Sequence, residues 1–109
     1  MAEDGVTELE LLVMLSVLHC GEEAYGVPIL EELRRRSGRK VLRPAVYEVL
    51  RRLETRGLLV AQKGEPIPER GGRARKYYSL TARGREAVAT ARRAWEAMWQ
   101  GIEMPADGA

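Results

Sequence analysis

One cysteine, Cys20, and one histidine, His19, are all that this 109-residue chain has of either residue. A single thiol excludes an internal disulfide. Together the two cannot complete a three- or four-ligand metal site within one subunit without recruiting carboxylates. Both stand at the end of an apolar run, where a packed thiol and a helix-terminal imidazole are the expected roles, and neither a metal nor a cofactor is expected. The chain lacks nucleophile-elbow and phosphate-loop motifs, and its histidine has no catalytic companion in sequence, so enzymatic activity is not expected. No apolar run approaches the ~20 residues that span a bilayer. The first residues are acidic rather than a basic leader, which gives the expectation of a cytoplasmic protein with no membrane partner. Internal repeats and low-complexity segments are also missing.

The most uneven absence is of positive charge. Residues 1 to 33 contain no Lys or Arg but eight carboxylates: Glu3, Asp4, Glu8, Glu10, Glu22, Glu23, Glu31 and Glu32. Residues 34 to 76 carry fourteen Lys and Arg against four Glu, a local excess of ten positive charges, and residues 77 to 109 carry four of each sign. The modest net charge of +2 therefore conceals a strong dipole. The central block could be a solvated face balanced by acidic helices, but such crowding of one sign favours a surface facing a polyanion. At 45% apolar and 31% charged residues, the chain fits one small domain with a limited core, which a dimer would enlarge.

Thr7 followed by Glu10 has capping-box spacing, so a first helix is expected from there through Leu18. It is apolar on nearly every side. Such a helix is buried on more than one face, and Leu11 and Leu15 are expected to meet a second subunit. Gly21-Glu22-Glu23 makes a turn. A second helix fits Tyr25 to Arg36, with Pro28 in its first turn and Ile29, Leu30 and Leu33 inward, stopping at Ser37-Gly38. Arg34, Arg35 and Arg36 complement its negative end. Val46, Val49, Leu50 and Leu53 then mark the buried stripe of a third helix, with Pro44 in its first turn and Gly57 ending it. Its other face presents Ala45, Tyr47, Glu48, Arg51, Arg52 and Thr55.

Residues 58–63 read as a strand, 64–72 as a loop stiffened by Pro66 and Pro68, and 73–80 as the returning strand. Gly71-Gly72 permits positive φ in the turn. Arg70, Arg73, Arg75 and Lys76 crowd around it, where an anion such as a phosphate backbone would offset their repulsion. By strand alternation Tyr78 and Leu80 face the core, which leaves Arg73, Arg75 and Tyr77 on the other side. Thr81 caps a fourth helix that continues past Gly84 to about Gly101. Its apolar positions Val88, Ala91, Trp95, Met98 and Ile102 are spaced 3, 4, 3, 4, a coiled-coil seam that suggests pairing with a symmetry mate.

Three helices, a two-stranded hairpin and a last helix make a mainly α chain with a small β-hairpin: a winged helix-turn-helix domain over 1–80, a C-terminal dimerisation helix over 81–102, and a flexible tail over 103–109. In that architecture the third helix enters the major groove and the wing follows a neighbouring phosphate or minor groove. Arg43, Ala45, Tyr47, Glu48 and Arg51 then lie nearest the DNA. Arg51 or Arg43 could fork onto guanine, Tyr47 could donate to a phosphate, and one or two of the five are expected to touch a base edge.

The chain resembles the PadR family of transcriptional regulators. The resemblance rests on the leading helix Leu9 to Leu18, on Ala24-Tyr25-Gly26-Val27-Pro28-Ile29, and on Val46-Tyr47 with Leu50-Arg51-Arg52-Leu53-Glu54 and Gly57-Leu58. It continues through Gly72-Arg73, Arg75-Lys76-Tyr77-Tyr78-Ser79-Leu80-Thr81 and Gly84, covering roughly residues 7 to 102. It implies a homodimeric repressor of double-stranded DNA that binds an inverted-repeat operator, is often released by a small ligand, and has Tyr25 in the DNA-binding surface. The short last helix resembles a compact branch of the family in which flat aromatic compounds bind between tryptophans at the dimer centre. That implies a small aromatic effector at Trp95 or Trp99; simple packing on the seam is the competing role, favoured for Trp95. The chain departs from the family pattern before the third helix, where Leu42-Arg43-Pro44-Ala45 replaces a small polar residue and a glycine. This leaves open whether Arg43 or Ala45 reaches a base. A winged-helix protein-interaction module and an RNA-binding winged helix are the alternatives.

Overall fold

A computed structural model describes residues 5–66 and 74–105. The first helix, α1, is Glu8–Cys20. Thr7 Oγ1 accepts the Glu10 N–H at 3.1 Å while the Glu10 carboxylate accepts the Thr7 N–H at 2.8 Å, closing the capping box that the spacing predicts. Val13, Met14 and Val17 are fully buried, whereas Leu18 on the same helix is half-exposed. A single 3₁₀ turn, Gly21–Glu23, leads to α2, Gly26–Ser37. This helix begins one residue later than expected, because Tyr25 has extended geometry and serves as its N-cap residue. It stops where Gly38 takes up a left-handed conformation at φ +74°.

The third helix, α3, is Arg43–Thr55, with Pro44 in its first turn and no side-chain cap from Leu42. Its stripe of Val46, Val49, Leu50 and Leu53 is buried against α1 and α2. Gly57, at φ +78°, turns the chain into the hairpin. The strands are β1, Leu59–Pro66, and β2, Ala74–Leu80, paired antiparallel with Leu59 opposite Leu80 and Gln62 opposite Tyr77.

The ladder runs further than the sequence suggests. The strand expected to end at Lys63 continues to Pro66, which pairs with Ala74 after an irregularity past Lys63. Gly64 lies within the strand rather than opening a loop. A Cβ there would fall 2.7 Å from the Tyr77 ring, so the aromatic occupies the space the glycine leaves. Leu58, Leu59 and Leu80 close the core beneath the sheet, and Tyr78 packs against it as alternation requires.

The last helix, α4, is Ala82–Trp99, ending two residues before the expected Gly101. Thr81 caps it by accepting the Gly84 N–H at 3.0 Å and also donates to the Gly57 carbonyl at 2.6 Å, fixing the helix to the end of α3. Val88 is half-buried against the core, while Trp95, Met98, Trp99 and Ile102 are all more than half exposed. The result is a mainly helical winged-helix domain, longest in one dimension at 54 × 35 × 21 Å. Among the described residues no helix is long and apolar enough to cross a membrane.

Candidate nucleic-acid interface

The outer face of α3 presents Arg43, Tyr47, Glu48 and Arg51 to solvent, with Ala45 half-buried beside them. Arg51 is already engaged: its Nη2 lies 2.7 Å from both oxygens of Glu48, one helical turn back. The bond and the charge together hold the Glu48 carboxyl below, and the Arg51 guanidinium above, their ordinary values. Both side chains are exposed, so this pair exchanges readily for another partner. Tyr47 lies across Gly26 at the start of α2; a Cβ on Gly26 would sit 2.5 Å from its hydroxyl.

The base of the wing is built on aromatic rings. The Arg75 guanidinium stands 4.1 Å above the Tyr25 ring, and Tyr77 meets the same ring edge-on at 5.4 Å between centroids. Tyr77 chiefly, with Tyr25, holds the Arg75 charge above its ordinary pKa. Arg75 Nε is sealed from solvent without a hydrogen-bond partner. The Tyr78 N–H donates to the Ala24 carbonyl at 2.8 Å, so the segment before α2 runs along the free edge of β2. On the opposite face Lys76 binds Glu54 of α3 at 3.1 Å and lies 5.8 Å over the Tyr78 ring. The Glu54 bond is the main reason its ammonium is held above the ordinary value. Arg70 and Arg73, expected at the wing tip, lie outside the described residues, as does the Gly71-Gly72 turn.

Much of the basic block is paired internally. Arg52, expected on the outward face of α3, instead reaches Glu10 of α1 at 2.9 Å, and Arg56 binds the other Glu10 oxygen at 2.9 Å. Arg39 pairs with Glu8, and Arg35 and Arg36 with Glu32. Arg34 donates to the Val41 carbonyl. The pairs at i, i+3 and i, i+4, Glu32 with Arg35 and Arg36 and Glu48 with Arg51, were readable from spacing, but the partners of Arg39, Arg52 and Arg56 were not. Among the described residues, Lys40, Arg43 and Lys63 are exposed cations with no hydrogen bond or ion pair. Lys40 and Arg43 flank the entry to α3, and Lys63 lies on β1; Lys40 and Lys63 were not among the residues expected to bind.

A second surface lies away from this one. An apolar groove of about 460 Å³ runs between α1 and α4, lined by Leu11, Leu15, Leu18, Val88, Arg92 and Trp95. The structure thus brings together four residues expected at the dimer interface. Ala91, Met98 and Ile102 continue along α4 and the turn beyond it, and Trp99 does not line the groove. Among the described residues no three His, Cys, Asp or Glu are grouped to hold a metal ion. The Cys20 thiol is pushed up by burial and by Glu32 and Glu31.

Residues 14–90 match the model of the transcriptional regulator PadR-like family. Transcriptional regulator Rv3488 of Mycobacterium tuberculosis is 38% identical over 86 residues, which span 77% of this chain and 76% of the relative. Among solved structures, a PadR family transcription regulator from Clostridium difficile R20291 superposes with a TM-score of 0.69 at 25% identity, over 84% of this chain and 91% of that one. A PadR family transcriptional regulator from Eggerthella lenta gives 0.65 at 29% identity, over 86% and 81%.

Proposed function

The chain belongs to the PadR-like family of transcriptional regulators, and from that premise we propose that it is a homodimeric, sequence-specific DNA-binding repressor in the cytoplasm. Residues 1–80 form the DNA-binding unit, 81–102 the dimerising segment and 103–109 a tail. The observation that carries this reading is the placement of the unpaired cations Lys40 and Arg43 at the entry of α3, beside a wing whose Arg75 is stacked on the Tyr25 ring. With α3 in the major groove, Lys40, Arg43, Lys63 and Arg75 neutralise phosphates. Tyr47, Glu48 and Arg51 stand toward the base edges. The Glu48–Arg51 pair suits a cytosine–guanine step, Glu48 accepting from the cytosine amino group while Arg51 bonds guanine.

Two copies joined through α1 and α4 place their recognition helices about one helical turn apart, roughly 34 Å, which calls for an inverted-repeat operator. The α1–α4 groove, closed by the same groove of the partner, takes a flat aromatic effector against Trp95. Such a ligand releases DNA only if it favours a dimer with altered helix spacing, and it does so by the ratio of its affinities for the two states.

Selection from a random duplex pool tests the reading, with salt titration of the selected site. An inverted repeat with half-sites one turn apart is expected. Lys40→Ala with Arg43→Ala lowers the slope of log affinity against log salt by about two. Failure to bind any duplex at low ionic strength overturns it, as does structured RNA competing better than duplex DNA.

A further inference from the structure

The tripeptide Ala24-Tyr25-Gly26 touches both elements assigned above to DNA, each through a different group. Its first carbonyl accepts the wing backbone at Tyr78. Its middle ring carries Arg75 and Tyr77 of the wing. Its last residue has no side chain, and Tyr47 of α3 occupies that space. Wing and recognition helix also share the buried core, where the α3 stripe meets Leu59 and Leu80, and they pair through the exposed Lys76 and Glu54, a contact that holds geometry weakly.

We propose that Ala24-Tyr25-Gly26 is a joint on the outer side of that core, setting the wing against the recognition helix, and that Tyr25 is a positioning residue that aims the Arg75 guanidinium at the phosphate backbone. This rests on the DNA-binding reading above. Arginine on a free strand samples many rotamers and loses them on binding a phosphate. A guanidinium laid on a ring has lost most of them beforehand, so its contact is stronger for the same charge. The sealed, unpartnered Nε of Arg75 fits this role. It forgoes a hydrogen bond to water, a local disadvantage of the kind found where geometry serves function.

The test is a double-mutant cycle on the intact protein with one operator duplex and one random duplex, with thermal melts of every variant. Tyr25→Phe keeps the ring face and is expected to bind within about twofold of the parent. Arg75→Ala is expected to weaken both duplexes by roughly five- to tenfold and to lower the salt slope by about one. Tyr25→Leu leaves the charge in place yet is expected to cost nearly as much, and Tyr25→Leu with Arg75→Ala is expected to be no weaker than either single change. Losses that add, or a Tyr25→Leu protein with parental affinity and slope, overturn the proposal. A second measurement needs neither DNA nor a substitution: in the free parent protein the Arg75 side-chain protons are expected upfield in the NMR spectrum from the Tyr25 ring current. Their absence overturns the proposal even if DNA binds normally. Conversely, a protein that shows the shift but binds no duplex sinks the DNA reading and leaves the ring contact standing.

Discussion

Glu10 is the one charged side chain with strongly buried oxygens among the ion pairs described, only 3% exposed, and it serves three structures at once. Its carboxylate closes the α1 cap through the Thr7 N–H and receives Arg52 and Arg56 from α3. Burial is the largest single influence and pushes its pKa up, but the bonds from Thr7, Arg52 and Arg56 together outweigh it and hold the group below its ordinary 4.5. A carboxyl whose folded pKa lies below its unfolded value contributes stability above the unfolded value and loses it as pH falls through the folded one. Thermal midpoints should therefore hold from neutrality to about pH 5 and decline below it. Glu10→Gln should flatten that acid decline and cost about 1–3 kcal/mol at pH 7, since it removes the buried negative charge that Arg52 and Arg56 share. An unchanged acid profile in the variant would assign the pH dependence elsewhere.

The elements read from spacing alone were those set by local chemistry: the Thr7–Glu10 cap, the α3 stripe, the Thr81 start of α4. What the sequence hid depends on contacts made at a distance. Gly64 and Pro66 read as breakers, yet β1 passes through both because the Tyr77 ring fills the glycine's space and proline is tolerated near the open end of an edge strand. Arg52 and Arg56 counted toward a binding surface until α1 supplied Glu10, 42 and 46 residues away. Likewise Tyr25 entered the DNA surface by resemblance only, and its place beneath Arg75 required the fold. Two glycines with close neighbours separate stability from recognition. A Cβ on Gly84 would collide with the backbone carbonyl of Leu58, which already accepts the Thr81 N–H and has no room to move. Gly84→Ala should destabilise by about 2–4 kcal/mol despite alanine's helix preference of ~1 kcal/mol. The nearest obstacle to a Cβ on Gly26 is the half-exposed Tyr47 ring, the end of a side chain that can swing away. Gly26→Ala should thus leave the melting temperature within a few degrees while lowering discrimination between operator and random duplex several-fold.

At the level of the whole molecule, pairing between the acidic first third and the basic middle spends much of the dipole on holding α1, α2 and α3 together, and the cations that remain sit around α3 and the wing. The unused apolar surface lies elsewhere. Trp95, Met98 and Trp99 share one face of α4 and Ile102 follows in the turn beyond it, and each is more than half exposed in the single chain. Upstream of them Trp95 joins Leu11, Leu15 and Leu18 in the α1–α4 groove. Contiguous apolar surface of this kind suits an interaction site on a small domain, and in the proposed dimer a second copy would cover both the groove and the helix face by symmetry. Trp95→Glu with Trp99→Glu places two carboxylates on that surface. Sedimentation at micromolar concentration should then show a monomer whose melting temperature is lowered but whose winged-helix circular dichroism persists. Affinity for a full inverted repeat should fall by about a hundredfold or more, toward that for an isolated half-site, because the second recognition helix is no longer delivered by the first. A variant that sediments as a dimer and keeps operator affinity would place the subunit contact away from α4, and the aromatic effector site with it.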